Sequence, residues 1–198
     1  MKKSKQEAAQ TRVRIVKTAA AAFRQNGIRG TGLAELMSAA GLTHGGFYRH
    51  FDSKDQLIAE ASADALDARV EEMVCATAKT RRQKGLGALV QNYLSVSHRD
   101  NRQNGCVFAA LGSELARADH NARKAATLAF EKMVQIISGQ FTGMKPTDAK
   151  KRATAALSTM VGALTLARVV EDKELSKAIL ADAANLILHL GPDSNRAR

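Results

Sequence analysis

The chain has 198 residues, of which 45% are hydrophobic, and carries 30 Lys/Arg against 19 Asp/Glu for a formal net charge of +11. This is enough apolar material for a real core in one domain or two small ones, and the basic excess calls for an anionic partner. No apolar run reaches membrane-spanning length, the nearest (155–170) being broken by Ser158, Thr159 and Arg168, and the two cysteines, Cys75 and Cys106, are too few for a disulfide scaffold and lack zinc spacing.

The N-terminus, MKKSKQEAAQTR, has charge but no apolar h-region, so it does not read as a signal peptide and a cytoplasmic protein is expected. Abundant alanine, few β-branched runs and only two prolines predict an all-α fold. Residues 1–10 read as a mobile basic arm. A first helix is expected over Thr11–Asn26, with Val13, Ile15, Val16, Ala19, Ala20 and Phe23 on its apolar stripe and Gly27 as its stop. Leu33, Leu36, Met37 and Ala40 recur at helical spacing and predict a second helix over Leu33–Ala40, capped by Thr31 and ended by Gly41. Leu42 pins the turn. A short, basic helix over Thr43–His50 follows, then a helix from Ser53 to Ala78 opened by a capping box of Ser53 and Gln56.

The order support helix, tight turn, exposed helix, capped helix is that of a helix-turn-helix. A helix that reads the major groove needs small, polar residues at its N-terminal end, and Thr43-His44-Gly45-Gly46 supplies both. Two glycines in a helix cost about 1 kcal/mol each relative to alanine, which close approach to DNA would explain. The alternative is a plain loop between core helices. Phe47, Tyr48 and Phe51 argue against it, since three of the chain's eight aromatics here suggest a packed unit. Charge agrees: residues 1–54 hold ten Lys/Arg against three acids, the remainder twenty against sixteen.

The residues Arg14-Ile15-Val16, Ala19 to Phe23, Gly27, Thr31, Gly41-Leu42-Thr43, Gly45, Phe47-Tyr48-Arg49-His50-Phe51, Lys54 and Leu57 resemble the DNA-binding domain of the TetR family of transcriptional regulators over residues 9–69. The resemblance implies a three-helix DNA-binding domain (9–69) and a C-terminal helical ligand-binding and dimerisation domain (70–198). It implies phosphate contacts from Thr31, Tyr48, His50 and Lys54, and base contacts from Thr43, His44, Gly45 and Gly46, with Arg49 on the same basic element. Gly32 departs from the hydroxyl residue often found there, so a phosphate contact is missing at that position.

Beyond Ala78, Lys79–Lys84 reads as a polar connection and Gly85–Ser97 as a helix with Leu86, Leu89, Val90, Tyr93 and Leu94 inward. His98–Gly105 reads as a loop. Helices are then expected over Cys106–Arg117, Asn121–Phe141 (closed by Thr142-Gly143), Pro146–Val170 and Lys173–Leu190, the last stopped by Gly191-Pro192. The final pair carries an unusually wide apolar surface, including Ala155, Gly162, Leu175, Ile179 and Leu186, which suits either an ordinary core or a homodimer interface. The TetR resemblance implies the latter, as a four-helix dimer contact.

His98-Arg99-Asp100 resembles a kinase catalytic loop, but the required Asn is Gly105; His44-Gly45-Gly46 resembles an esterase oxyanion loop without any G-x-S-x-G elbow. No metal or cofactor is expected. The expected function is a sequence-specific regulator, a repressor released from palindromic double-stranded operator DNA by an unknown small-molecule or electrophile inducer. The alternatives are a helical enzyme of unknown chemistry and a non-specific architectural DNA-binder. Cys106 is a candidate regulatory thiol: it opens a helix and lies near His98, Arg99 and Arg102 in sequence, a setting that favours thiolate, and the segment resembles a subgroup of the family with cysteine-based sensing. The alternative is a small packed cysteine that senses nothing.

Overall fold

The computed structural model describes residues 5–78 and 85–190, and among these every regular element is helical. The connection Lys79–Lys84, the stop at Gly191-Pro192 and residues 1–4 of the expected arm lie outside the described residues. The rest of that arm is helix: α1 runs Lys5–Asn26, because Lys5, Gln6, Glu7 and Ala8 are good helix formers and Thr11 bonds back to the Glu7 carbonyl at 2.8 Å. Gly27, at φ 80°, ends the helix in the left-handed conformation.

α2 spans Leu33–Ala39 and is stopped by Gly41 at φ 71°. Thr31 does not cap it. The N-cap is Gly32 without a side-chain bond, while Thr31 is buried and its hydroxyl donates to the Gly27 carbonyl at 2.7 Å. The next element is a 3₁₀ helix over His44–Arg49 rather than an α-helix. Its bonds close after three residues, Gly46 N–H to Thr43 O and His50 N–H to Phe47 O, since six residues containing two glycines cannot sustain wider turns. α3 (Lys54–Ala78) starts with Gln56 N–H on the Ser53 hydroxyl at 3.1 Å and the Gln56 side chain accepting from Asp52 N–H at 2.8 Å, a capping box displaced by one residue.

α4 covers Gly85–Tyr93. The helix expected to reach Ser97 ends there, at Tyr93, and a new one, α5 (Val96–Asp100), capped by the Ser95 hydroxyl, runs into the expected loop His98–Gly105, which also holds a 3₁₀ turn over Arg102–Asn104. One cap was enough to organise a stretch with no apolar period. α6 (Val107–Leu115), α7 (His120–Ser138), α8 (Pro146–Val169) and α9 (Lys173–His189) complete the described chain, with Asp119 and Asp172 capping α7 and α9.

α3 lies between α1 and α7, and α8 packs on α7 and α9, so one apolar core continues from Phe23, Phe47 and Phe51 through Leu66 to Met133, Ile137 and Leu157. The N-terminal helix-turn-helix domain and the C-terminal helical domain share α3, and a boundary between residues 69 and 70 falls inside that helix. Val13, Val74 and Leu128 are exposed although their spacing pointed inward. The wide apolar surface of α8 and α9 divides in two: Ala156, Ala163, Leu164, Leu180 and Ile187 enter the core, whereas Leu166, Val169, Leu175 and Leu186 face out. Leu164 is fully buried, so Leu164→Ala should cost about 2–5 kcal/mol of stability, read as a lowered urea midpoint with unchanged slope.

Candidate nucleic-acid interface and the buried core behind it

The 3₁₀ helix is held from below by its aromatics. Phe47 is fully buried and stacks on Phe51 at 5.5 Å between ring centres, while Tyr48 meets Phe47 edge-on and leaves its own side chain 66% exposed. Thr43, His44, Gly45 and Arg49 are exposed, and Gly46 and His50 half-buried. No acidic residue occurs between Glu35 and Asp52, so this surface carries no opposing charge of its own. Nothing lies within 4 Å of a Cβ built at Gly45, which marks it as open towards solvent.

Arg12 was not singled out by the sequence, yet it locks this surface in place. From α1 its guanidinium forms a bidentate pair with Glu60 of α3, donates to the His50 carbonyl at 3.2 Å and sits 4.6 Å from the centre of the Phe51 ring. Lys54 also turns inward, its ammonium donating to the carbonyls of Thr31 at 2.8 Å and Ile28 at 3.3 Å. With the Thr31 hydroxyl on Gly27 O, two of the four residues that the resemblance places on phosphates, Thr31 and Lys54, brace the loop that carries α2.

A second cluster lies behind the interface, around Cys106, the N-cap residue of α6, which is fully buried. Its backbone N–H donates to His98 Nε2 at 2.9 Å, and His98 Nδ1 bonds the Tyr93 carbonyl at 2.6 Å, so the imidazole is a neutral tautomer that donates from Nδ1 and accepts at Nε2. Arg168 donates from Nε to the Arg99 carbonyl and from Nη2 to the His98 carbonyl, both at 3.0 Å. A Cβ at Gly105 would come within 2.7 Å of that Nη2, so the residue before Cys106 must be small. Tyr93 is fully buried under the Arg69 guanidinium, which lies 4.8 Å from its ring centre. Burial and then the adjacent Cys106 thiol push its hydroxyl well above the ordinary range. Of His98, Arg99 and Arg102, the sequence neighbours expected beside Cys106, His98 bonds its backbone directly through Nε2, and the distant helix α8 adds Arg168, held on the carbonyls of His98 and Arg99.

α6 then connects this cluster to the helix-turn-helix. At its far end Glu114 Oε1 accepts from the backbone N–H groups of Ile28 at 3.0 Å and Arg29 at 3.2 Å, and Arg24 of α1 donates to the Gln103 carbonyl at 2.7 Å. Between α7 and α8 lies a groove of about 630 Å³ lined by Thr127, Phe130, Glu131, Val134 and Lys150 among others. Among the described residues no group of His, Cys, Asp and Glu could hold a metal ion.

Residues 15–61 match the family of bacterial regulatory proteins of the tetR type, and residues 83–181 match the C-terminal domain of LmrA/YxaF-like transcriptional regulators. The chain belongs to the TetR family. An uncharacterised HTH-type transcriptional regulator of Mycobacterium tuberculosis is 27% identical over 196 residues, covering 93% of this chain and 98% of that protein. The fold matches a TetR-family transcriptional regulator of Cytophaga hutchinsonii with a TM-score of 0.79 at 19% identity, covering 98% of this chain and 100% of that one. It also matches AibR in complex with isovaleryl coenzyme A and operator DNA, with a TM-score of 0.64 at 16% identity over 89% and 97% of the two chains. Family membership places the protein among transcriptional regulators rather than enzymes. Among the described residues no helix is long and apolar enough to cross a membrane.

The buried imidazole gives this protein a defined acid sensitivity. Burial, then the charge of Arg69, lowers the His98 pKa from 6.5 to about 4, against the opposing bond to the Tyr93 carbonyl. The unfolded chain therefore takes up the proton first, and stability is complete above pH 6.5 and lost as pH falls towards 4. The loss should reach up to about 3 kcal/mol. Urea midpoints measured across this range should fall in the wild type and fall less steeply in His98→Gln.

Proposed function

We propose that this protein is a cytoplasmic, sequence-specific repressor that binds a palindromic operator as a homodimer and leaves it when an effector acts on the helical C-terminal part. Residues 9–69 serve as the DNA-binding unit and 70–198 as the regulatory and dimerisation unit. The observation that carries this reading is the acid-free exposed surface of Thr43, His44, Gly45, Tyr48 and Arg49, braced by buried Phe47 and Arg12. In it Thr43, His44 and the two glycines face base edges, and Tyr48, Arg49 and His50 face phosphates. Thr31 and Lys54 contribute by holding the loop. The likeness to AibR, a structure that contains operator DNA, supports the same docking.

Dimerisation follows from the outward half of α8 and α9. Ala155, Thr159, Gly162, Leu166 and Val169 recur at alternating spacings of four and three on α8, beside exposed Leu175 and Leu186 on α9. Two such faces from two copies make a four-helix contact. The α7/α8 groove offers room for a small molecule. The buried thiol of Cys106 supplies a second route to release, because any added atom at Sγ would crowd Tyr93 and the His98-bound start of α6 and so move the element that holds Ile28 and Arg29. With hypochlorite the sulfur gains oxygen as the sulfenic acid, while the oxidant is reduced to chloride.

In fluorescence anisotropy a palindrome from the gene's own upstream region should bind far more tightly than random DNA; equal binding of the two would refute the reading. His44→Ala should change which bases are preferred, in a selection on randomised operators, and Arg49→Ala should lower affinity for all sequences while reducing the logarithmic salt slope by about 1 per protomer. Leu186→Arg should leave a folded monomer in sedimentation with weak half-site binding, since an unpaired charge at a contact between copies costs several kcal/mol. Cys106→Ser should retain operator binding and lose release by hypochlorite or a quinone, and an equal response in both proteins, or none in the wild type, would overturn the thiol route.

A further inference from the structure

A pocket of about 280 Å³ opens where α5, the turn Arg102–Asn104 and the junction of α8 and α9 meet, and its charged lining is Arg99, Arg102, Arg168 and Lys173 against the single carboxylate of Asp100. The cations are organised. Arg99 is fixed by Asp100 at 2.7 Å on one side and donates to the Ser176 hydroxyl at 2.8 Å on the other, and that buried hydroxyl donates to the Ala167 carbonyl. Arg168 has two of its nitrogens on backbone carbonyls and a third, Nη1, buried without a hydrogen-bond partner. Among the described residues neither Arg102 nor Lys173 makes an ion pair, and Asp100, already committed to Arg99, cannot neutralise both. Burial and the nearby charge of Arg102 both work against the charged form of Arg168. Like charges gathered around a cavity with a preset fork geometry are the arrangement that receives an oxyanion.

We infer that this pocket binds the phosphate or carboxylate group of a small effector. It is too small for a large apolar ligand and distinct from the α7/α8 groove. Its walls connect to the DNA-binding end. Arg168 grips the carbonyl of His98, whose ring accepts from Cys106 N–H at the start of α6, and Gln103, next to Arg102, accepts from Arg24 of α1. An anion that draws Arg102 and Arg168 together therefore acts on both contacts that join the C-terminal helices to α1 and its following loop. Only this regulatory consequence rests on the repressor reading; the binding site does not.

Isothermal titration of the full-length protein with inorganic phosphate, pyrophosphate and succinate, at ionic strength held constant with chloride, tests the site without DNA. At least one should bind, and Arg102→Gln/Lys173→Gln, both surface positions, should weaken that binding by about tenfold or more. The control Lys124→Gln/Lys151→Gln removes the same charge elsewhere, at exposed positions, and should leave it unchanged. No binding of any of the three to the wild type, or equal loss in the control, overturns the site. The strongest binder is then added to the operator complex: release in the wild type and none in Arg102→Gln/Lys173→Gln is expected, whereas binding without release overturns the coupling alone. Failure of the anion-free protein to bind any operator would instead count against the repressor reading.

Discussion

The structure depends on α6 acting as a tie with hydrogen bonds at both ends, buried at Cys106 and half-buried at Glu114. At its start the Cys106 N–H is held by a neutral imidazole, and at its end the Glu114 carboxylate holds the N–H groups of Ile28 and Arg29. A nine-residue helix is about 13 Å long and does not stretch, so a displacement at one end must appear at the other. The loop after α1 carries Thr31 and α2, and the placement of α2 sets that of the 3₁₀ helix. The loop after α1 is therefore referenced to the C-terminal helices through the Glu114 carboxylate, beside the Arg24–Gln103 bond and the shared helix α3.

The DNA-facing element itself contributes little to its own stability. Six residues with two glycines, closed in 3₁₀ turns, would not persist in isolation. Its order comes from Phe47 and Phe51 beneath it and from Arg12, which joins α1, the His50 carbonyl and Glu60 of α3. This division of labour leaves Thr43, His44 and Arg49 free of packing duties. Their side chains can be spent on recognition while neighbouring helices maintain the geometry. Lys54 and Thr31 turn inward because the main-chain carbonyls of Gly27, Ile28 and Thr31, in the loop after α1, need donors.

The basic surplus of the chain is used in two places with different physics. On the 3₁₀ helix and α1 part of it is exposed, at Arg14, Lys17 and Arg49, where salt screens it. Around Cys106 and Tyr93 the cations are partly or largely buried, Arg69 being only 8% exposed in its side chain, and there each guanidinium must find carbonyls, rings or an anion. The partners found are the carbonyls of His98 and Arg99, the Tyr93 ring and Glu72. Burying cations beside a thiol and a neutral imidazole is costly for folding. Its presence in a regulator's C-terminal half fits a region set up to respond rather than only to pack.

Periodicity and turn chemistry in the sequence determined most of the helices. Leu36, Met37 and Ala40 fixed the buried side of α2, Gly27 and Gly41 ended their helices with positive φ, and the spacing of Phe47, Tyr48 and Phe51 marked a packed element, because each of these signals acts within a few residues; α7 instead ends at Ser138, short of the Thr142-Gly143 stop expected for it. What the sequence left open depended on distant partners. Thr31 and Lys54 looked available for phosphate because their acceptors, Gly27 O and the carbonyls of Ile28 and Thr31, are main-chain groups that no side-chain pattern records. Around Cys106 the sequence placed His98, which does bond it, but not Arg168, which comes from α8, and Glu114 reaches Ile28 across 86 residues. The wide stripe on α8 and α9 could not be divided by spacing alone, since 3.6 residues per turn gives two adjacent apolar faces the same local signature; only the packing of α7 against α8 decided that Leu164 is core and Leu166 and Leu186 are surface.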